Sequence, residues 1–469
     1  MKNILLSIVI SLFFVSCSEF TPEVGPNSNS PEEQPNENGG NIPANKTKAI
    51  KFQDENVKQL CVSNWDTNGD GELSYAEAEA VTSLGKVFTN NTSIKFFDEL
   101  AFFIGLTSIW PEAFDSCKSL RSVVIPNSVT TISYSSFGDC DSLTNVVIGS
   151  GVDHIGEAAF NGCKSLTQVT IPSKVRYVGC EAFLGCSMLE RVDITDLAAW
   201  CTTSFYDPNA NPIGNKTDLY LNGELISGHL VIPESVTTIY KYTFSSYLKI
   251  TEVTIPESVT SINAGAFSRC REIKSVHVGE NVRNISSEAF FRCDALKTIN
   301  LPEGLISRGS YAFSECDALS SIQIPSSVQR IYERAFEGCR SIKSVTLQEG
   351  IISISEYAFT GCNTLKSIVI PNSVEYLGDN VFSSCTALNS VTIGSGITSI
   401  GNCPFNSCRN LNSVYCKAQT PPTLEGKGST LYGTPSNLKV YVPMSSVDIY
   451  KNAEKWSDFA TQIVGYEFE

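Results

Sequence analysis

Between positions 66 and 77 the chain reads DTNGDGELSYAE, which brings together Asp66, Asn68, Asp70, the Glu72 carbonyl, Ser74 and Glu77. A hard divalent cation takes six or more oxygen ligands, and alternate residues of a tight loop can point theirs at one centre. Gly71 permits the sharp bend, and Glu77 is placed to close the shell with both carboxylate oxygens. The spacing predicts a calcium loop; a polar surface turn without metal is the competing reading. Other chemistry is sparse. The three histidines, His154, His229 and His277, sit in no nucleophile motif and no metal-ligand spacing, and the remaining carboxylates are scattered. Catalytic residues are therefore assigned to none, and the sequence reads as a protein that is not an enzyme.

The twelve-residue loop resembles the EF-hand, with two departures. Ala78 stands where a larger apolar residue is usual, and no second loop is present to pair with the first. Val57, Leu60 and Cys61 share one helical face before the loop, and residues 78–84 are expected to form the exit helix. At the start of the chain, Lys2, an apolar run from Ile4 to Val15 and Ser16 form an export signal too short for a stable membrane span. Phe14-Val15-Ser16-Cys17 resembles a bacterial lipoprotein processing box, which implies cleavage before Cys17 and acylation of its thiol. An ordinary cleaved signal is the alternative. Residues 17–47 are rich in Pro, Asn, Glu and Gly and poor in large apolar side chains, the composition of a disordered tether.

These segments precede an array with one dominant period. A block of the form L-x-x-V/I-x-I-P-x-S-V-x-x-I-x-x-x-A-F-x-x-C recurs every 23 residues, aligned on Phe114, Phe137, Phe160 and Phe183, then on Phe244, Phe267, Phe290, Phe313, Phe336, Phe359, Phe382 and Phe405. A unit this short cannot bury its own apolar side, so neighbours must stack and pool their cores. Val169 and Ile171 alternate with Gln168 and Thr170 as in a half-buried strand that Pro172 ends. Gly149, Gly279 and Gly394 take the same corner as flexible substitutes. Ser-Val-x-x-Ile then makes a second short extended segment, and A-F-x-x-C is expected to close the coil as a helical turn. Between Phe183 and Phe244 the spacing is 61 residues instead of 23. Asn222-Gly223 in this insertion signals a tight hairpin. The insertion reads either as a ligand-contacting protrusion or as a packing clamp.

Of the 17 cysteines, Cys117, Cys140, Cys163, Cys186, Cys270, Cys293, Cys316, Cys339, Cys362, Cys385 and Cys408 fall three residues after the repeat Phe. Stacked coils align these on one column, where buried thiols acting as small hydrophobes are a better account than disulfides or zinc. Tyr247 replaces Cys in the coil after the insertion.

The repeat is similar to that of the BspA-like leucine-rich repeat proteins. The fold class expected is a β-rich repeat solenoid, a leucine-rich-repeat superhelix of 23-residue coils with parallel strands and short helical turns. The organisation expected is a signal peptide (1–16), a tether (17–47), a small helical N-terminal module (48–99), repeats (100–416) with an insertion at about 190–228, and a C-terminal cap (417–469). In the cap, Val447, Tyr450 and Trp456 are the expected core contacts. The resemblance implies an adhesin-like outer-membrane lipoprotein of a Gram-negative, Bacteroides-like bacterium, contacting host extracellular-matrix or cell-surface proteins, other bacteria or glycans. A glycan- or protein-capturing lipoprotein of a nutrient uptake system and a structural surface component are the alternatives.

The net charge of −15 repels phosphate backbones and argues against nucleic acid partners. Outward positions of the first strand, Ser275, Thr298, Ser321, Ser344, Ser367 and Ser390, look energetically bland. The second segment carries Arg176, Tyr177, Arg283, Arg330 and Tyr376, residue types that dominate interface energy, and is the expected partner-binding face, although the same residues also serve to keep an edge soluble. Arg308 occupies a column otherwise held by Ile and Val.

Overall fold

The computed structural model describes residues 45–214, 216–306, 309–426 and 433–468. The export signal, Cys17, the tether up to residue 44 and Arg308 lie outside the described residues.

Among the described residues most coils contain two short strands. In Ser275–Val278, Val276 and Val278 are buried while His277 is exposed, the alternation that a half-buried strand requires. Parallel pairing joins this strand to the coil before, Glu252 opposite Ser275, and to the coil after, Ser275 opposite Thr298. The second strand, Asn284–Ile285, pairs in the same sense with Ser261–Ile262. Every coil thus supplies backbone partners to its neighbours, as expected for a solenoid. The corner glycines differ from expectation. A Cβ on Gly149 would lie 2.3 Å from the Pro126 carbonyl oxygen, and one on Gly394 would lie 2.4 Å from that of Pro371. Close approach of successive coils, rather than flexibility, selects glycine there.

The Phe-containing stretch is a run of turns rather than a regular helix. In every repeat the residues two before and two after the Phe have positive φ, as with Glu288 (58°) and Arg292 (56°) around Phe290. A non-glycine residue in that region costs about 1–2 kcal/mol. Cross-coil hydrogen bonds hold the strain: Glu288 N–H donates to the Ser310 carbonyl and Arg292 N–H to that of Ser314. Inside these turns the Phe rings stack nearly parallel along the array, Phe267 to Phe290 at 5.4 Å and 3° and Phe382 to Phe405 at 6.0 Å and 7°. Each fully buried ring contributes about 1.5–3 kcal/mol of transfer free energy.

The cysteine column is buried as expected, with Cys186 partly so, and no disulfide links any pair among the described residues. Each thiol also makes a bond that the repeat pattern alone did not disclose. Cys140 donates to the Phe114 carbonyl, Cys293 to that of Phe267 and Cys408 to that of Phe382, always 26 residues back. Cys117 does the same to Phe88, whose ring stacks on Phe114 at 5.1 Å. The ring column therefore begins at Phe88, within the stretch assigned to the helical module.

The insertion builds one enlarged coil. Arg191–Ile194 pairs in parallel with Gln168–Thr170 on one side and Asp218–Leu221 on the other, while the helix Leu197–Cys201 buries Trp200 and replaces the usual corner. Asn222 and Gly223, both at positive φ, turn the chain into the antiparallel Glu224–Leu225. Tyr247 then takes the place of the column cysteine. Its hydroxyl accepts from Leu219 N–H at 3.2 Å and donates to the Ile226 carbonyl at 2.6 Å, a reach no thiol has.

At the C-terminal end, Lys439–Pro443 and Ile463–Tyr466 extend the first-strand sheet. Tyr450 and Trp456 are buried and packed edge-to-face at 4.9 Å, and Val447 is half-buried against them. The Tyr450 hydroxyl donates to the Ala418 carbonyl and the Trp456 indole to that of Pro422, which ties the cap to the last coil.

Candidate binding surfaces and cation loop

Loop 66–77 lies between the helices Glu55–Trp65 and Tyr75–Ala80. The exit helix starts earlier than expected and ends at Ala80, because Ser74 and Glu77 form a reciprocal capping box that nucleates it at Tyr75. Val57 and Cys61 are buried, as their shared face required. Both Asp66 oxygens accept loop amides, from Gly69 and Gly71, while Asn68 and Asp70 accept from Asp70 and Glu72 N–H. The Glu72 side chain turns outward to Lys58 at 2.6 Å, so only its carbonyl is left for the loop.

Glu77 is the most heavily bonded of the set. One oxygen accepts from Thr67 N–H, the Thr67 hydroxyl and Asn68 N–H, and the other from Ser74 N–H and its hydroxyl. Burial pushes this carboxyl up, but these bonds from Ser74 and Thr67 outweigh burial and bring it to about 2. The all-oxygen donor set has the chemistry a calcium ion requires. As they stand, its carboxylates serve the loop's own hydrogen bonds, and among the described residues no three His, Cys, Asp or Glu side chains form a group able to hold a metal. Bidentate ligation by Glu77 requires release of the Thr67 and Asn68 amides.

The five second-segment residues are distributed along the array. Tyr177 stacks on His154 at 4.7 Å, and the adjacent, exposed Arg176 reaches the Thr202 hydroxyl at 3.3 Å. Arg330 bonds the Ser353 hydroxyl at 3.0 Å, and Ser353 is paired on its other side with Tyr376. Arg283 turns back on its own chain, donating to the Glu280 and Val282 carbonyls. Arg176 with Tyr177, and Arg330 with Tyr376, are thus two patches in different sheets, with Arg283 in neither.

The first-strand face is less bland than its serines imply. At its C-terminal end Tyr415 stacks on Tyr441 at 4.7 Å, Tyr466 packs edge-on to both, and Phe468 packs on Tyr466. Tyr415 follows Thr392 and Val369 in one outward column, so its place was readable from the repeat. Its neighbour Tyr441 lies beyond the last repeat, where the period no longer guides alignment. A groove of about 770 Å³ on the same face takes in the outward Ser367 and Ser390 and is lined by Lys366, Asn389, Arg409, Asn410, Asn412 and Asn437, among others. Among the described residues no helix is long and apolar enough to cross a membrane.

The sequence matches the model of the BspA type leucine rich repeat region in six copies, over residues 85–211, 227–343, 307–422 and 331–453. No curated protein matches it. Among solved structures it is similar to a leucine-rich repeat protein from Bacteroides ovatus ATCC 8483, with 24% identity, 77% of this chain and 88% of that chain covered, and a TM-score of 0.48. A leucine rich cell surface protein from Faecalibacterium prausnitzii A2-165 shows 27% identity over 66% of this chain and 81% of its own, at a TM-score of 0.39. A leucine-rich repeat protein from Eubacterium ventriosum ATCC 27560 shows 20% identity over 69% and 86%, at 0.43. The family match covers well over half of the sequence and falls on the coils whose Phe and Cys columns hold the array together, so the chain belongs to the BspA-type leucine-rich repeat family.

Proposed function

We propose that the protein is a lipid-anchored, adhesin-like binding protein displayed on the outer membrane of a Gram-negative, Bacteroides-like cell. Acylated Cys17 holds it to the membrane and residues 17–47 lift the array away. Its partners are host extracellular-matrix or cell-surface proteins, other bacteria or glycans. The observation that carries this reading is the separation of duties within each coil. Phe and Cys columns close the core, while outward positions vary from coil to coil without disturbing it, which is how repeat arrays evolve extended binding surfaces.

Contacts are assigned to Arg176 and Tyr177 and to Arg330 and Tyr376, with Arg283 in a lesser role because its guanidinium is engaged by its own chain. Calcium is assigned to Asp66, Asn68, Asp70, the Glu72 carbonyl, Ser74 and Glu77, as a structural ion with an affinity on the order of 10⁻⁴ to 10⁻³ M.

Whole cells with and without the protein, applied to immobilised fibronectin, fibrinogen and mucin glycans, test the proposal. Protein-dependent attachment supports it, and equal attachment removes it. Capture of glycans for an uptake system is the second reading, favoured by a tyrosine group and an amide-lined groove on the first-strand face. Dependence on mucin glycans alone, with growth on them impaired, selects that reading.

A further inference from the structure

On a chain of net charge −15, the outward first-strand face from Ser275 to Lys439 carries cations and no carboxylate. Lys274, Lys297, Lys343 and Lys366 occupy one repeat position, just before the outward serine or threonine of their strands. Cross-coil bonds fix this alignment: Lys297 N–H donates to the Lys274 carbonyl, Lys343 N–H to that of Ser320, and Asn389 N–H to that of Lys366. Lys439 continues the row beyond Asn412, whose carbonyl accepts its N–H. All five lysines are exposed, and none makes an ion pair among the described residues. By contrast, the charged column three residues earlier is internally neutralised by Arg271 with Asp294 and Arg340 with Asp317. The exception there is Arg409, which has no such partner and lines the groove with Lys366 and four asparagines. Glu252 and Glu272 border the face at its N-terminal end only, and Glu280, Glu303 and Glu349 lie past the corner.

We propose that this face is a docking surface for a linear acidic polysaccharide. Charge complementarity selects a polyanion, because unpaired lysines recur along a face that carries no acids. Coil spacing selects a chain. Successive Phe rings lie 5.3–6.0 Å apart through these coils, and parallel strands repeat every ~4.8 Å. That rise is close to the length of one pyranose unit, so lysines one coil apart can meet acidic groups on successive sugars and lysines two coils apart those on alternate sugars. Ser275, Thr298, Ser321, Ser344 and Ser367 beside the row, and the asparagines at its end, offer hydroxyl and amide partners for sugar hydroxyls. A nucleic acid is a poorer fit, since between Lys274 and Lys366 no Phe, Tyr or Trp interleaves the lysines to stack bases, the tyrosines lying only at the C-terminal end, and the rest of the body repels phosphate. A protein is also a poorer fit, because between Lys274 and Lys366 the row lacks the Trp, Tyr and Arg anchors of protein hot spots.

The inference rests on the protein being displayed outside the cell, and its test is independent of attachment to matrix proteins. The full chain is titrated with heparin as the acidic probe, with dextran as the neutral control and with single-stranded DNA. Heparin binding that weakens as salt screens the row, with none to dextran, is the expected result. Combining Lys297→Glu, Lys343→Glu and Lys366→Glu lowers heparin affinity by roughly tenfold or more, about 1.4 kcal/mol. The matching Gln triple gives a smaller loss in the same direction. Thermal midpoints are unchanged, because the lysines are exposed and unpaired. Absence of heparin binding by the native protein, equal binding by the Glu triple, or tighter binding of DNA than of heparin overturns the proposal. Attachment of cells to fibrinogen in the face of such a failure leaves the adhesin reading standing.

Discussion

The Cys293 thiol donates a hydrogen bond to the Phe267 carbonyl oxygen at 3.2 Å, joining each coil's core cysteine to the backbone of the coil before it. Ten other cysteines repeat the relationship, so the column is a line of cross-coil fasteners as well as a packing feature. Replacing Cys293 with Ala removes one of that carbonyl's two donors, leaving the Cys270 N–H, and opens a small void. We expect a loss of about 1–2 kcal/mol in urea unfolding. An unchanged midpoint would show that the thiol serves only as filler.

The same column sets the response to alkali. Burial pushes the Cys270 and Cys339 thiols up to about 12, so the folded protein keeps these two protonated where unfolded thiols ionise. A pKa raised by folding means that the stabilisation is fully present below the ordinary thiol range near 9 and is lost as pH rises toward about 12. Between about 9 and 12 each such cysteine lowers stability by about 1.4 kcal/mol per pH unit. Urea midpoints should fall steeply above pH ~9, and less steeply in a variant with Cys270→Ala and Cys339→Ala. A flat profile through that range contradicts the assignment.

Tyr247 fastens the enlarged coil. Removing its hydroxyl in Tyr247→Phe strands the Leu219 N–H and the Ile226 carbonyl in a buried setting, at a cost of about 1–3 kcal/mol. Faster amide exchange at Leu219, confined to the insertion, is the expected signature. Restoring the repeat consensus with Tyr247→Cys should be at least as damaging, because a thiol is too short to reach either group.

For the loop, Glu77→Gln with Asp66→Asn should abolish the calorimetric heat of calcium binding while the array keeps its circular dichroism. No calcium heat from the native protein at millimolar concentration removes the metal assignment and leaves Glu77 as a cap and loop staple.

Cys17→Ala should give a protein that is soluble or retains its signal. Continued extraction only with detergent, with the signal removed, rules out acylation at Cys17.

How much of this was legible in the sequence follows from what a period encodes. Phe, Cys, Val and Ile recur because each must meet its own equivalent in the next coil, so the core, strands and parallel stacking could be read from one repeat. Conformations that many residue types adopt leave no such trace. Glu288 and Tyr311 share a positive-φ position with Gly265, held there by cross-coil bonds rather than by residue type, and so the turn region was expected to be helical. Phe88 was overlooked because 26 residues, not 23, separate it from Phe114. Glu77 was readable as a carboxylate at a ligand position, but its hydrogen bonds to Thr67 and Asn68 depend on loop closure. The lysine row was visible at the repeat spacing, and its meaning emerged only once the acids were placed on other columns.

The reading of this protein as a displayed binder is tested most directly on intact cells. Attachment to immobilised fibrinogen or mucin glycans is measured before and after externally added protease, with the protein followed by immunoblot. The account predicts that protease removes the chain without breaching the cell and that attachment falls to the level of cells lacking it. A chain cut only after membrane disruption, or attachment that persists after the chain is removed, contradicts it.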